Sequence, residues 1–260
     1  MTKDGNDSDG LGEAHPAFWT PHMSASDERC IRRECHIPSF IKIRFDENNS
    51  GAVARSDVHE ICVYEHMFRA GLRLPFIPII RELLSFLNLS PHQLSPNAWR
   101  TFLACVILWP LSMGPGHTLT IGEFLYIYRL QKNPQSSSVY NFQTRRGKFI
   151  QIDSQFSSNP KWKNKYFFLS GQWEFRPTER AEGPRVPRDI NDPPSEAYEE
   201  PVRTPEMVRR INQVIKWGRE HPKMMFVGSL ITVTKLSEFV YDVDSFRRAS
   251  RSASDSLRAR

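Results

Sequence analysis

The sequence has no apolar run long enough to cross a membrane. Its longest, Thr101 to Met113, spans about thirteen positions and contains Pro110, whereas a spanning helix needs roughly 18 or more. It reads instead as a buried core helix. The first ten residues are acidic and polar, without the apolar stretch of a secretory signal. Cysteine is scarce. Cys30, Cys35, Cys62 and Cys105 do not make a disulfide framework in a chain without an export signal, and are expected as free thiols. No G-x-x-x-x-G-K-S/T and no G-x-G-x-x-G segment occurs, so the common phosphate-cradling loops are missing. These absences lead to the expectation of a soluble intracellular protein, nuclear or cytoplasmic, with no membrane partner.

What is present fits one or two domains. The chain has 260 residues, of which 39% are apolar and 12% aromatic, enough for a sizeable core. The formal net charge of +6 is uneven. Residues 1–57 carry seven basic and ten acidic side chains, residues 58–176 thirteen and six, and residues 177–260 fifteen and thirteen. The excess therefore sits on the middle segment. Positive charge on a folded segment favours anionic partners, nucleic acid first; ordinary surface variation is the competing reading.

The pattern along the chain predicts an α+β fold, with about four helices followed by a small antiparallel sheet. Residues 1–36 lack periodicity and read as a disordered lead. Phe40 to Phe45 alternate as a short strand would. Asp57 and Glu60 have capping-box spacing and Gly71 suits a helix stop, which predicts a first helix over Val58–Ala70. The second is expected over Ile77–Asn88, with Pro78 in its first turn. Ser95 and Pro96 open the third, apolar almost all round from Ala98 to Trp109, with Pro110 as its stop. Thr120 and Glu123 form a T-x-x-E box that opens a fourth helix through Tyr128. Short runs at 139–143, 148–152 and 165–169 read as strands, the first two joined by a hairpin at Arg146-Gly147. The body thus occupies 37–176. Seven prolines over residues 177–205 mark 177–204 as an extended linker. Residues 205–244 then read as a C-terminal helical segment, with Met225–Tyr241 open between helix and strand, and 245–260 as a disordered Arg/Ser tail.

Five stretches carry a family resemblance: Tyr64-Glu-His-Met-Phe-Arg-Ala-Gly-Leu-Arg-Leu-Pro-Phe76; Arg81-Glu-Leu-Leu; Leu89-Ser-Pro-His-Gln-Leu-Ser-Pro-Asn-Ala-Trp-Arg100; Glu123-Phe-Leu-Tyr-Ile-Tyr128; and Trp162-Lys-Asn-Lys-Tyr-Phe-Phe-Leu-Ser-Gly171. Together they resemble the gypsy-type transposon domain of plant retrotransposon-derived, gag-like proteins, over about residues 60–175. The resemblance implies a plant mobile-element origin and a setting of nucleic-acid binding or self-association.

The enzymes of such elements have signatures that this chain lacks. Tyr241-Asp242-Val243-Asp244 separates the aspartates that a reverse transcriptase keeps adjacent, and Asp7-Ser8-Asp9-Gly10 does not match the Asp-Ser/Thr-Gly of a retroviral-type protease. An integrase needs three carboxylates around two metal ions; the middle segment offers Glu60, Glu65, Glu82, Glu123, Asp153 and Glu174 without a recognisable triad. Zinc-type ligands occur at Cys30, Cys35 and His36 and at His59, Cys62 and His66, at spacings of no common zinc module. No cofactor or metal is expected, and no catalytic residue is assigned. The strongest binding candidate is a basic, aromatic stretch: Arg145, Arg146 and Lys148 at the expected hairpin, then Lys161, Trp162, Lys163 and Lys165. Cations neutralise phosphates while an exposed Trp stacks a base; the competing reading is an edge strand solubilised by lysine. Arg247-Arg248-Ala249-Ser250 resembles a basophilic kinase site. The reading is a non-enzymatic, gag-like protein that self-associates, binds DNA or RNA, or both. A transposase or integrase fragment and an inactive element remnant are the alternatives.

Overall fold

Glu28–Cys35 forms a helix (α1) inside the stretch expected to be a disordered lead. The signal is short: Ile31 and Cys35, four apart, are its only buried residues. Arg32 ties it down, pairing with Glu28 at 2.8 Å and donating to the Pro38 and Ile41 carbonyls at 3.0 and 2.9 Å. This computed structural model describes residues 22–48, 51, 52, 55, 57–134, 136, 138–145, 149, 150, 160–176 and 179–240. Residues 1–21 of the expected lead, with the Asp7–Gly10 motif, and the Tyr241–Asp244 motif, Asp153 and the Arg/Ser tail lie outside them.

The expected first strand is present as β1, Ile41–Arg44. The expected first helix is not: Ile61–Tyr64 is a strand (β2) and only Glu65–Arg69 is helical (α2). All four β2 residues are buried. Side chains alternate between the faces of a strand, so β2 is covered on both sides. Asp57 makes a turn there, accepting the His59 N–H at 2.7 Å, while Glu60 pairs with Arg44 at 2.8 Å. Gly71 ends α2 at φ +106°, a backbone state in which side chains are rarely found.

The next three helices follow their punctuation. α3 is Pro78–Leu87, closed by Asn88 in the left-handed region. α4 is Pro96–Met113, with the Ser95 hydroxyl accepting the Ala98 N–H at 3.1 Å. Pro110, expected as its stop, is tolerated inside it. The helix runs on for three residues, and Gly114, at φ +95°, ends it with its N–H on the Pro110 carbonyl at 2.9 Å. α5 is Ile121–Ile127 with its capping box formed, Glu123 N–H to Thr120 Oγ1 at 3.1 Å and Thr120 N–H to Glu123 Oε2 at 2.9 Å.

The α+β class holds, with the strands in two sheets. β3 (Tyr128–Lys132) pairs antiparallel with β4 (Tyr140–Thr144), from Tyr128 opposite Thr144 to Lys132 opposite Tyr140. β4 was expected to pair with a strand at 148–152, but its partner is the segment before it; of 148–152 only Phe149 and Ile150 are described, and neither is in a strand. β5 (Tyr166–Gly171) is the centre of the other sheet, between β1 and β2. This sheet brackets the helices in sequence instead of following them. α4 is the packing centre, with Trp99, Phe102 and Trp109 fully buried.

The proline-rich segment is extended, as expected, apart from a single turn at Ser195–Ala197, and it is laid against the body. Val186 and Ala197 are buried, Gln93 Nε2 donates to the Asn191 carbonyl at 2.8 Å, and Arg145 donates to the carbonyls of Tyr198 and Glu199 at 3.0 and 2.7 Å. It delivers α6 (Pro205–Glu220), capped by Thr204, onto α4. Two short helices, α7 (Val227–Leu230) and α8 (Val233–Lys235), and a π turn at Leu236–Val240 resolve the segment left open between helix and strand. No helix among the described residues is long and apolar enough to cross a membrane.

Candidate functional site

The seven residues of the basic, aromatic stretch do not form one surface. Arg146 and Lys148 lie outside the described residues, and of Lys161 only the backbone is described, in a turn at Pro160–Asn164. Trp162 is 8% exposed and lies against Tyr64, ring centroids 4.4 Å apart. The stacking platform expected of it is therefore taken by the core, a correction that follows from β2 and β5 meeting there. Lys163 is half-buried in the same turn. Lys165 lies 3.1 Å from the Glu65 carboxylate. Arg145 is committed to backbone, donating to the Leu125 carbonyl at 2.9 Å besides the two in the proline-rich segment.

Cations and aromatics meet at another place, where β5 ends. Gly171 has φ +93°, and a Cβ on it would stand 3.1 Å from the Phe40 carbonyl oxygen, so glycine is required where β1 comes in. Beyond it Trp173 and Phe175 turn inward, and Trp173 Nε1 donates to the His59 carbonyl at 3.0 Å. Glu174, 5% exposed, is the pin for the returning chain. It accepts the Val186 N–H at 2.7 Å and Arg185 Nη1 at 3.2 Å, with Arg188 Nη2 at 3.5 Å. The guanidinium of Arg185 lies 4.5 Å from the Phe175 centroid and that of Arg188 5.5 Å from the Trp173 centroid, distances at which a cation is drawn to a ring. Below them Arg81 is buried, 4.4 Å from the Phe175 centroid, donating to the Phe76 carbonyl at 2.6 Å and paired with Glu179. Burial pushes the Glu179 carboxyl up, but hydrogen bonds from Arg81 and from the Arg176 N–H outweigh it and hold the group below its ordinary range.

These residues enclose a cleft of about 520 Å³. Its cations are Lys42, Arg176, Arg185 and Arg188; its acids are Asp57, Glu174 and Glu179. Glu179 is neutralised from beneath by Arg81, so the wall facing solvent is positive. Lys42 is exposed and Arg176 half-buried, and neither is in a salt bridge among the described residues. The side chain of Arg185 is 57% exposed. Arg185 Nη2 and Arg188 Nη1 also donate to the Ala181 and Val58 carbonyls at 3.0 and 2.9 Å, so the N–H donors the cleft can offer an anion come first from Lys42 and Arg176. The cleft's own aromatics are buried, so they support the arginines and offer no face to a base. The cleft escaped the sequence reading because its parts come from Lys42, from 57–59 and from 170–188. The one local signal was Trp173-Glu-Phe-Arg176, two aromatics alternating with charges at a strand's end, followed by arginines in a segment taken as a linker.

The zinc-type residues noted in the sequence are dispersed. His59 lies in the turn before β2, Cys62 is buried within β2 and His66 lies on α2, so they do not share a helix face. Among the described residues no three His, Cys, Asp or Glu side chains are grouped to hold a metal ion. All four cysteines are free. Burial pushes the Cys35 thiol up to about 12 and also raises Cys62 and Cys105, while Cys30, exposed, is raised by its hydrogen bond to Glu34. Thiols so raised are poor nucleophiles. Four of the middle acids are each committed elsewhere: Glu60 to Arg44, Glu65 to Arg69, Glu123 to Arg210, Glu174 to Arg185.

Among curated proteins and among solved structures nothing matches the chain. A family model does, over residues 61–132, which run from the first residue of β2 to the last of β3. The Trp162–Gly171 stretch of the resemblance and every residue lining the cleft lie outside that match. The family is described as "Putative gypsy type transposon", so this part of the chain is similar to a gypsy-type transposon domain.

Proposed function

We propose that the chain is a non-catalytic, gag-like module of plant mobile-element origin that grips the phosphate backbone of nucleic acid in the Lys42, Arg176, Arg185 and Arg188 cleft. One observation carries the reading: four cations line an open cleft, two of them, Lys42 and Arg176, without a salt-bridge partner among the described residues, while the Arg185 side chain is 57% exposed. Phosphate contacts position a nucleic acid without reading its sequence. With Trp162 and Trp173 buried, base stacking contributes nothing at these places, so binding is sequence-independent and driven by counterion release. The integrase alternative has less support, because Glu60, Glu65, Glu123 and Glu174 are held in separate ion pairs.

The test is a gel-shift titration with single- and double-stranded DNA and RNA at about 50 and about 200 mM salt, the range over which phosphate-driven binding weakens steeply. Binding without sequence preference is expected. In the K42E/R176E chain, log affinity against log salt should flatten by roughly two units of slope, near 0.9 for each lost phosphate contact. No shift at the lower salt with any of the four nucleic acids removes this reading and leaves self-association, read by sizing across a range of concentrations.

A further inference from the structure

A second depression, about 600 Å³, lies between α3, the end of α4 and the loop after it, and the π turn at Leu236–Val240. Ligand pockets commonly measure ~300–1,000 Å³. Ile79, Val106, Leu119 and Phe239 give it an apolar lining, and among the described residues no lysine or arginine is in its walls. Its carboxylates are Glu82 and Glu238, both exposed and neither in an ion pair among the described residues. One turn beyond Glu82 on α3, Phe86 is exposed at 41%, which extends the apolar lining onto the open surface. The groove is thus apolar below and acidic at the rim.

We propose that this groove receives an arginine-rich segment of the same chain, residues 245–251, Ser-Phe-Arg-Arg-Ala-Ser-Arg. Its chemistry complements the groove. Phe246 suits the apolar lining, and Arg247, Arg248 and Arg251 suit the two carboxylates, with no acid inside the segment. Its place in the chain is right as well. Glu238 and Phe239 are walls of the groove, and Phe246 follows Val240 by six residues, which at ~3.3 Å each reach roughly 20 Å. The described chain therefore ends beside the rim, and the residues that follow have the length to return to the groove. Intramolecular attachment gives it a high effective concentration, so a modest affinity suffices to keep it docked.

Tryptic cleavage of the full chain after Arg247 and Arg248 tests this. In the native chain these bonds should be cut about fivefold more slowly than in the E82Q/E238Q chain, about what two exposed charge pairs supply. Raised salt should speed cleavage of the native chain only. Both replaced side chains are exposed, so the fold is retained, as circular dichroism will show. A second measurement uses T118C/S250C in a C30S background, Thr118 being an exposed wall of the groove. A disulfide between these positions within one chain, and none in V202C/S250C, is expected. Equal cleavage rates with no such disulfide overturn the proposal. Disulfides found only between chains overturn it too, and assign the groove to a second copy.

Discussion

Glu123 and Glu174 are two buried glutamates that meet arginine in opposite ways. Glu123, 2% exposed, is closed in by the buried Trp109, the mostly enclosed Arg210 and its own N-cap, Thr120. It accepts the Trp109 Nε1–H at 3.1 Å, the Thr120 N–H and hydroxyl at 2.9 and 3.0 Å, and Arg210, whose side chain is 17% exposed. Every donor belongs to the body or to α6, so the cluster is a clamp that locks α6 against α4 and α5. Glu174 is as buried, but Arg185 above it is largely in water. A guanidinium has five N–H donors in a fixed fork. Arg185 is held by the Glu174 carboxylate at 3.2 Å, the Ala181 carbonyl at 3.0 Å and the Phe175 ring, which fixes the direction of the donors left over. Burial of the acid is common to both; wetness of the cation separates a fastening from a binding surface.

The largest expected effect tests the clamp. Glu123→Ala strips Arg210, Trp109 and Thr120 of their acceptor at once. Removing one partner of a buried pair leaves an uncompensated charge and typically costs about 3–5 kcal/mol. Urea unfolding should show a loss of that size, and hydrogen exchange should show α6 losing protection first. Glu123→Gln keeps an acceptor for the Thr120 N–H and should lose about half as much. A loss below about 1 kcal/mol for Glu123→Ala would make Glu123 no more structural than an exposed pair, and the comparison would break.

This clamp also marks what the sequence made legible. The T-x-x-E box and the Ser95-Pro96 start were readable because a cap is satisfied by residues within one turn of it. That Arg210, 87 positions from Glu123 in the chain, would share the acid was not. The same limit explains β2. Tyr64 and Phe68 keep helical spacing with Ile61, yet Ile61–Tyr64 is covered on both faces by elements distant in sequence, and that cover makes it a strand. β3 was hidden because it starts with no turn residue between it and α5. The basic, aromatic stretch was conspicuous because it is contiguous; the cleft was not, because its cations lie at 42, 176, 185 and 188. Local chemistry reads from a string, and assembled chemistry needs the sheet that brings β1 beside β5.

The next effect is smaller and sharpens the binding half of the comparison. In Glu174→Gln the amide oxygen still accepts the Val186 N–H, while the negative charge beneath Arg185 and Arg188 disappears. Stability should fall by about 1 kcal/mol, a hydrogen bond's worth. Affinity for nucleic acid at low salt should rise about threefold, since the arginines no longer share their charge with the protein. Weaker binding instead would mean that Glu174 chiefly positions the two guanidinium groups, so that its removal scatters the donors that phosphate needs.

Glu65 stands between the two cases and gives the smallest effect. It is buried, but its partners are half-exposed, Arg69 at 54% and Lys165 at 44%. Burial pushes its carboxyl up; the Arg69 hydrogen bond and the Lys165 ammonium outweigh that and hold it below the ordinary value of 4.5. A carboxyl lowered by folding adds stability that is complete above its unfolded pKa, near 4.3, and is lost as pH falls through the lower, folded value. With partners so exposed, solvent screening limits the contribution to about 0.5–1 kcal/mol. Urea midpoints of the native and Glu65→Gln chains should therefore differ at pH 7 and converge only once the pH has fallen below the lowered, folded-state value, where both side chains are neutral. If the gap persists unchanged in acid, the Glu65 carboxylate is not the source of it, and shape alone holds Lys165 beside α2. Added salt separates the pair from the clamp: it should shrink the gap at pH 7 for Glu65 and leave the loss from Glu123→Ala nearly intact, because salt screens wet cations far more than enclosed ones.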